Sequence, residues 1–256
     1  MENVKAFVSW SGGKDCCLSH YLATKNGLTV EALVSAIDHT GKIGAHSLRP
    51  EIIGYQAKAL QVPLIQKSVT VATYDDDFRS VISKLRDNGI TTGVFGDVSI
   101  GNKEADLHKN WVENICYPLD IRPYLPLWGL SRNEIMLHLI NMGFEVIIIV
   151  ADEKHLGKSW LGRKLDLNLL NELNSRHTQG TDGKVGYYHT FVLDGPLFRQ
   201  RLNITNANPI RRIDEWGDNW YLDIEEIELI PKRFTDKPYL KPVLQEVRID
   251  QITSEA

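Results

Sequence analysis

The sequence predicts an α/β protein with an N-terminal, Rossmann-like parallel sheet and a smaller C-terminal α+β domain. In the first half of the chain, short apolar runs alternate with stretches of helical periodicity, a pattern typical of parallel strands joined by helices. The first apolar run leads into a glycine-rich turn at residues 11–13. After residue 122 the alternation gives way to a segment with two prolines, which indicates a domain edge.

The elements of the N-terminal half follow from apolar runs, helical spacing and end signals. Cys17, Leu18 and Tyr21 recur at helical spacing, and Gly27 stands where a helix C-cap is expected. Pro50 suits the first turn of a helix, where its missing N–H leaves no bond unmade. The predicted order is strand 4–8, helix 14–25, strand 30–37, a helix from residue 50, strand 62–65, a helix after residues 75–77, and strand 93–97.

Three consecutive aspartates, Asp75, Asp76 and Asp77, precede the third predicted helix. The dipole of a helix favours acids at its N-terminus by ~0.3–1 kcal/mol each. A metal site is the alternative interpretation, and we favour capping of the helix.

The second half begins with a proline-rich segment, residues 121–129, which we interpret as a linker. Ser131 and Glu134 then have the spacing of a capping box, which predicts a helix running through residue 139. Beyond it we expect strand 144–150, helix 165–173, strand 188–193 and strand-like alternation at 221–230. The predicted division is a domain of residues 1–122, a second of 123–230, and a polar tail of 231–256.

Composition limits the class of protein without choosing a function. The chain has 256 residues, 43% of them hydrophobic, so it can bury a sizeable core. Its net charge of −4 gives no bulk electrostatic reason to bind nucleic acid. The three cysteines, Cys16, Cys17 and Cys116, form neither a CxxC pair nor an even disulfide set. No signal peptide or apolar run of membrane length is visible, so we expect a cytoplasmic protein without a membrane partner.

The glycine-rich turn reads Ser-Gly-Gly-Lys-Asp-Cys at residues 11–16. A strand that ends in such a turn brings backbone N–H groups, a helix N-terminus and a lysine to one point, which suits phosphate. A Walker A loop is excluded, because Val8 stands where its first glycine belongs and Asp15 where its Ser or Thr belongs. The dinucleotide fingerprint lacks its third glycine. A plain tight turn remains an alternative, but the stretch resembles the PP-loop of ATP pyrophosphatases, which cleave ATP between its α- and β-phosphates.

Polar residues also follow two other strands of the predicted sheet. Asp38 and His39 come after the second strand, and Gly96 and Asp97 come at the end of the fourth. Ligands of open α/β sheets bind beyond the carboxyl ends of the strands, so we expect these residues and the loop to face one crevice. Asp97 can contact a ligand or Mg²⁺ there, or it can cap the following turn.

Longer blocks give a more specific resemblance. Between residues 4 and about 200, the chain resembles the diphthine–ammonia ligase family, which shares its blocks in the same order. The resemblance implies a PP-loop domain followed by a smaller domain that helps form the substrate site. It also implies amidation of the diphthine carboxylate on translation elongation factor 2 by ATP and ammonia, with release of AMP and pyrophosphate. The blocks are residues 11–15, His46, residues 56–57, 96–97, 126–129, 159–163 and 189–196.

The resemblance implies ATP and Mg²⁺ as cofactors, ammonia as a second substrate and a protein carboxylate as acceptor, with a homodimer left open. Lys14 and Asp15 are the expected catalytic residues, and Asp15 is the expected magnesium ligand. The expected nucleotide-binding residues are Ser9, Ser11, Gly12, Gly13, Lys14, Asp15, Cys16, Asp38, His46, Gly96 and Asp97. The expected substrate-binding residues are Trp128, Gly129, Trp160, Arg163, Lys184, Tyr187, His189 and Thr190.

Two departures from the family pattern leave alternatives open. Cys16 replaces the usual Ser or Thr, and a thiol is a weaker donor to phosphate than a hydroxyl. Lys184 and Tyr187 stand where the family has glutamates. An RNA-modifying PP-loop enzyme and a nucleotide-sensing module without turnover are therefore alternative functions. Alternative structural roles are a core position for Trp128 and Trp160, a solvated face for Arg163, and hydrogen-bonded structural histidines for His46 and His189.

Overall fold

A computed structural model describes residues 4–99, 103–179 and 187–232. The strands within these ranges are β1 (Lys5–Ser9), β2 (Thr29–Ile37), β3 (Leu64–Ser68), β4 (Thr92–Val94), β5 (Arg122–Tyr124), β6 (Glu145–Asp152), β7 (Tyr188–Asp194), β8 (Gln200–Asp214) and β9 (Gly217–Pro231). The α-helices are α1 (Lys14–Lys25), α2 (Pro50–Leu60), α3 (Tyr74–Asp87), α4 (Lys103–Cys116), α5 (Arg132–Asn141) and α6 (Leu167–Gln179).

The first five strands form a parallel sheet in the order β3-β2-β1-β4-β5. The connection reverses direction between β1 and β4, because the chain builds the sheet outward from β1 to β3 before returning to β4. A crevice opens beyond the carboxyl ends of the strands at such a point. The prediction of a Rossmann-like parallel sheet is thereby confirmed.

The remaining strands form an antiparallel sheet in the order β7-β6-β9-β8. Strands β8 and β9 pair along their whole length as one long hairpin, with its tip at residues 214–217. Gly217 has a φ of +108° at this tip, a conformation that side chains other than glycine rarely adopt. Arg49, just before α2, donates to Asp223 of β9 at 2.9 Å and so joins the hairpin to the first sheet's helices.

Two clusters of buried side chains hold the sheets in place. Alternate residues of β1 serve both, since Val8 belongs to the larger cluster and Phe7 to the smaller. The smaller cluster contains residues of α3 and α4, including Phe78, whose ring meets that of Phe7 edge-on at 6.3 Å. The larger cluster joins α1 and α2 to the second sheet without interruption. The crevice beyond β1 therefore lies where the two sheets share one core.

Several boundaries differ from the sequence prediction. Strand β3 lies two to three residues later, and β4 ends at Val94 instead of residue 97. The proline-rich segment holds the edge strand β5, where Pro123 is tolerated because an edge residue can lack a donor. The predicted boundary between residues 122 and 123 falls inside this strand. Helix α4 and strand β8 were not predicted, because few apolar residues mark the first half of α4 or the outer end of β8.

Within the described ranges, the helices are too short or too polar to cross a membrane.

Candidate nucleotide-binding site

The turn between β1 and α1 can be formed only by glycine at its tightest point. Gly12 has a φ of +81°, in the left-handed region. A Cβ atom on Gly12 would lie 2.7 Å from Oε1 of Gln56 and 2.7 Å from Cδ1 of Ile53. Both the conformation and the available space therefore require glycine here.

Two further glycines bring other elements against this turn. A Cβ atom on Gly96, just after β4, would lie 2.8 Å from the backbone nitrogen of Cys16. A Cβ atom on Gly13 would lie 2.6 Å from Nε2 of His46. The segment after β4 and the segment after β2 therefore both touch the first turn of α1, as the sequence prediction of one crevice requires.

Gln56 of α2 is fully buried and holds the turn from one side. Its Nε2 donates to the carbonyl oxygen of Gly12 at 3.0 Å and to that of Val192 at 2.8 Å. Its Oε1 accepts from Nε1 of Trp10 at 3.0 Å. One side chain thus joins the residue before the loop, the loop itself and strand β7.

Strand β7 holds the turn from the other side. The backbone N–H of Val192 donates to the carbonyl oxygen of Gly12 at 3.1 Å. The backbone N–H of Lys14 donates to Oγ1 of Thr190 at 3.1 Å, and Thr190 is itself buried. The loop of the first domain is therefore attached to the second sheet by main-chain as well as side-chain bonds.

Lys14 and Asp15 form an ion pair at the start of α1. Nζ of Lys14 lies 2.7 Å from Oδ2 of Asp15 and 5.8 Å from the ring centroid of Tyr188. Burial lowers the pKa of Lys14, but the Asp15 carboxylate and Tyr188 outweigh it, so this pKa is raised. Lys14 is consequently cationic throughout the neutral range.

The second carboxylate oxygen of Asp15 is available to bind a metal ion. Oδ1 of Asp15 is buried and has no hydrogen-bond partner in the described part of the chain. Among the same residues, no group of three His, Cys, Asp or Glu side chains is placed to hold a metal by itself. Mg²⁺ commonly uses one or two carboxylates together with nucleotide phosphates and water. Asp15 therefore fits a magnesium ion that arrives with a nucleotide.

Two imidazoles stand beside the loop. The ring centroids of His46 and His189 lie 4.5 Å apart, and Nε2 of His46 lies 3.4 Å from Oγ of Ser11. Burial, followed by the charge of Lys14, lowers the pKa of His46 to about 3. Burial also lowers the pKa of His189, with His46 and Lys14 adding to the effect. Both rings are neutral near pH 7 and can act as hydrogen-bond donors or acceptors.

Cys16 lies at the first turn of α1 with its thiol against the loop. Its Sγ donates to the carbonyl oxygen of Gly13 at 3.2 Å and accepts from Oγ of Ser11 at 3.7 Å. Burial raises the pKa of Cys16, but hydrogen bonds from Cys17 and from the loop outweigh it and lower this pKa. Burial raises the pKa of the neighbouring Cys17 thiol. The two adjacent thiols therefore differ in their ease of ionisation.

These residues surround a cavity of about 910 Å³ beyond the carboxyl ends of β1, β2 and β4. One wall is aromatic, with Tyr74 and Phe78 of α3, Phe95 after β4 and Trp111 of α4. The ring of Tyr74 lies 5.5 Å from that of Trp111, whose Nε1 donates to Asp75 at 2.8 Å. The size and lining suit a nucleotide together with part of a second substrate.

Two predicted carboxylates already have partners inside this cavity. Oδ1 of Asp97 lies 2.6 Å from Nδ1 of His108, a hydrogen bond that raises the pKa of His108. Oδ1 of Asp38 accepts from the backbone N–H of Thr40 at 2.8 Å and of Lys42 at 3.2 Å, so it also closes the turn after β2.

The predicted site residues divide into those that line the cavity and those that support it. Gly12, Lys14 and Thr190 belong to the loop and its attachment to β7. The predicted residues that line the cavity are Ser9, Ser11, Gly13, Asp15, Cys16, Asp38, His46, Gly96, Asp97 and His189.

Other predicted substrate residues lie away from the cavity lining. Trp160 is buried, and the guanidinium carbons of Arg163 and Arg176 lie 4.3 and 4.9 Å from its ring centroid. Arg163 also pairs with Glu172 at 2.6 Å. These neighbours agree with the alternative role given above for Trp160, a core position.

Four predicted substrate-binding residues remain. Trp128 lies with Nζ of Lys109 5.4 Å from its ring centroid, and Gly129 is exposed beside it. The hydroxyl of Tyr187 is hydrogen-bonded to Nε2 of His189. His189 lines the cavity, so Tyr187 is connected to the cavity through His189. Lys184 lies outside the described residues. The substrate-binding roles of all these residues stay predictions.

Sequence reasoning did not select Gln56 or Trp111 as site residues. Gln56 had a signal, because it interrupts a buried helix face otherwise formed by Ile52, Ile53 and Ala57. A lone polar residue on such a face must find partners in the interior. Trp111 had none, because the aromatic wall forms from elements that lie far apart in the chain.

Comparison with known proteins matches both halves of the chain. The family model of the diphthamide synthase N-terminal domain matches residues 4–123, and that of the diphthamide synthase C-terminal domain matches residues 131–230. The curated diphthine–ammonia ligase of Danio rerio is 27% identical over 228 residues, covering 80% of this chain and 88% of the relative. Those of Bos taurus and Homo sapiens are 24% and 23% identical over 250 residues, covering 87% of this chain and 91% of each relative.

A solved structure, described as a predicted subunit of tRNA methyltransferase from Methanocaldococcus jannaschii, covers 75% of this chain and 97% of its own. Its TM-score is 0.43 and its sequence identity 17%, and a likeness of this size supports no inference about function.

Proposed function

The chain belongs to the diphthamide synthase family, and from this membership we propose that it is an ATP-dependent ligase that joins ammonia to a carboxylate, with diphthine as the acceptor. The observation that carries the proposal is the attachment of the glycine-rich loop to β7. This attachment joins the glycine-rich loop, with Lys14 and Asp15 at the start of α1, to the second sheet beside a cavity that residues of both domains line, which supports the proposal.

The chemistry requires activation of the acceptor. A carboxylate repels nucleophiles, so one of its oxygens first attacks the α-phosphorus of ATP, and the bond to the β-phosphate breaks with pyrophosphate leaving. Ammonia then attacks the carbonyl carbon of this acyl adenylate, AMP leaves with the electron pair, and ammonia loses a proton. The protein has to align the carboxylate with the α-phosphate and to stabilise charge on the leaving pyrophosphate.

The loop residues have the chemistry for this task. Backbone N–H groups of the loop and the N-terminus of α1 favour an anion at this position. Two charges 4 Å apart interact by about 1 kcal/mol in bulk water but about 4 kcal/mol at an effective dielectric of 20. Lys14 therefore acts strongly on pyrophosphate only because it is largely withdrawn from solvent. A magnesium ion, when bound, would neutralise phosphate charge, and Asp15 is the residue that would hold it.

The test is to identify the products formed from ATP with ammonia and elongation factor 2 that carries diphthine. We expect AMP, pyrophosphate and the amide in equal amounts. Lys14→Ala and Asp15→Asn should each lower kcat by at least 10²-fold, as for the loss of one transition-state charge contact. Lys25→Ala is the matched control, since Lys25 lies on the same helix but at its far end.

Two results would contradict the proposal. ADP and phosphate as products would exclude an adenylate. Tight ATP binding with no turnover of any carboxylate would favour the nucleotide-sensing alternative.

A further inference from the structure

Three large apolar side chains are exposed at the cavity or at a smaller one adjoining it. Val71 is 91% exposed and Trp216 is 44% exposed, and both line the cavity. Ile213 is 80% exposed and lines, with Trp216, a smaller adjoining cavity of about 350 Å³. We call these three residues the rim patch. Apolar side chains gathered around a site entrance are typical of an interaction surface.

The rim patch is assembled from both domains. Val71 follows β3 of the first sheet, whereas Ile213 lies near the end of β8 and Trp216 lies in the tip of the β8–β9 hairpin. Neither segment uses these side chains to fill the buried clusters. Their convergence at the cavity is therefore a property of the folded chain and not of one apolar run.

The hairpin tip is held in a defined position. The backbone N–H of Trp216 donates to Oδ1 of Asp214 at 3.0 Å, and the hydroxyl of Tyr221 donates to Oδ2 of Asp214 at 2.9 Å. The guanidinium carbon of Arg212 lies 4.1 Å from the ring centroid of Tyr221, and Arg212 also bonds to Ser47 after β2. These bonds fix the backbone of the tip, and Trp216 and Ile213 remain exposed there.

The described charges at the entrance are mostly acidic. Asp15, Asp38, Asp75, Asp97 and Glu215 line the cavity, and none of its described lining residues is a lysine or an arginine. Arg212 lines the smaller adjoining cavity, where Asp38, Asp214 and Glu215 outnumber it. A protein segment that meets the rim patch is therefore favoured if it carries positive charge.

We propose that the rim patch is the docking surface for the folded protein that carries the acceptor carboxylate, and that the segment of this protein which enters the cavity is positively charged. The inference rests on the proposed function, because a carboxylate on a protein can reach the loop only if the surrounding protein surface meets the entrance. An apolar rim around an acidic interior supplies contact area outside and charge attraction within.

The test measures equilibrium binding of elongation factor 2 that carries diphthine, without ATP, so that docking is measured independently of turnover. The variant is Ile213→Ser combined with Trp216→Ser. Its matched control is Leu137→Ser combined with Leu167→Ser, whose side chains are 38% and 53% exposed and do not line the cavity. We expect the rim variant to weaken binding at least tenfold and the control less than twofold.

The charge inference has its own variant. Glu215→Lys should weaken binding of the same protein severalfold, and the effect should diminish as ionic strength rises.

Equal affinity of the rim variant and the wild type would overturn the docking surface. A wild-type dimer that the rim variant converts to monomer would also overturn it, since the patch would then join two copies of this chain. Stronger binding by Glu215→Lys would overturn the inferred charge. If binding weakens as expected but ammonia, ATP and the acceptor give no AMP, the docking surface stands and the proposed function fails.

Discussion

Replacement of Gln56 by leucine is the sharpest test of how the glycine-rich loop is held. The variant keeps a side chain of similar volume but removes all three hydrogen bonds. The carbonyl oxygen of Gly12 retains its bond from the N–H of Val192. The indole N–H of Trp10 and the carbonyl oxygen of Val192 lose the partners that Gln56 supplies.

The expected loss of unfolding free energy follows from the indole N–H of Trp10 and the carbonyl oxygen of Val192. Leaving a buried donor or acceptor without a partner costs about 1–3 kcal/mol, so two of them cost about 2–6 kcal/mol of unfolding free energy. Gln66→Leu is the matched control, because Gln66 donates one bond, to Pro50 at 2.9 Å, and is less buried. Its loss should cost about 1 kcal/mol.

Gln56→Glu adds a pH dependence that distinguishes hydrogen bonding from packing. An ionised carboxylate here would face the carbonyl oxygens of Gly12 and Val192, so the folded state raises the pKa of the introduced acid. A raised folded pKa means that stability is intact below the unfolded pKa of about 4.3 and falls as pH rises above it, by about 1.4 kcal/mol per unit up to the folded pKa. The loss should be larger at pH 8 than at pH 5.

The assay is urea denaturation of the wild type, both Gln56 variants and Gln66→Leu at pH 5 and pH 8, with ATP affinity measured alongside. If Gln56→Leu lay within about 0.5 kcal/mol of the wild type, an ordinary surface effect, the reasoning from unpaired buried groups would be refuted.

Three further predictions concern the same site. Gly13→Ala should weaken ATP binding at least tenfold in titration calorimetry, because its Cβ would lie 2.6 Å from Nε2 of His46, and an unchanged affinity would show that the ring gives way freely. Iodoacetamide should inactivate the wild type, and ATP should protect it, because hydrogen bonds lower the pKa of Cys16 despite its burial. The variant Cys16→Ser should resist inactivation. Inactivation of that variant would assign the effect to another thiol. Burial lowers the pKa of His20 to about 4, so this group binds more protons in the unfolded chain between that value and about 6.5. His20 therefore contributes about 2 kcal/mol to the loss of stability from pH 7 to pH 5, in addition to the losses from His46 and His189. Melting curves should show a smaller loss in His20→Phe than in the wild type, and an equal loss in both proteins would exclude a contribution from His20.

The sequence was informative where local rules decide the structure. The loop, the helix α1 and the strand β2 follow from short-range signals. One such signal is Gly12, since a turn with left-handed backbone conformation favours glycine. The capping box is formed as predicted, with Ser131 accepting from the N–H of Glu134 and Glu134 accepting from the N–H of Ser131. The convergence of Gly96 on α1 followed from the general topology of parallel sheets.

Contacts between distant elements could not be read in the same way. The bonds of Thr190 and Val192 to the loop depend on how the second sheet packs against α1 and α2, which no local pattern specifies. Trp160 shows that a motif can suggest a role that the packing does not indicate. Its position in a family block suggested contact with substrate, whereas the structure buries it beside Arg163 and Arg176. Whether it also influences the substrate stays a prediction.

The bond from Val192 to Gly12 has a consequence for synthesis of the protein on the ribosome. The two residues lie far apart in the translated sequence, so the first domain emerges long before its loop can acquire this partner. Domains generally fold as units in the order of synthesis, yet here the parallel sheet can form while its glycine-rich turn lacks this bond. The nascent first domain therefore completes the attachment of this turn only after β7 has left the exit tunnel.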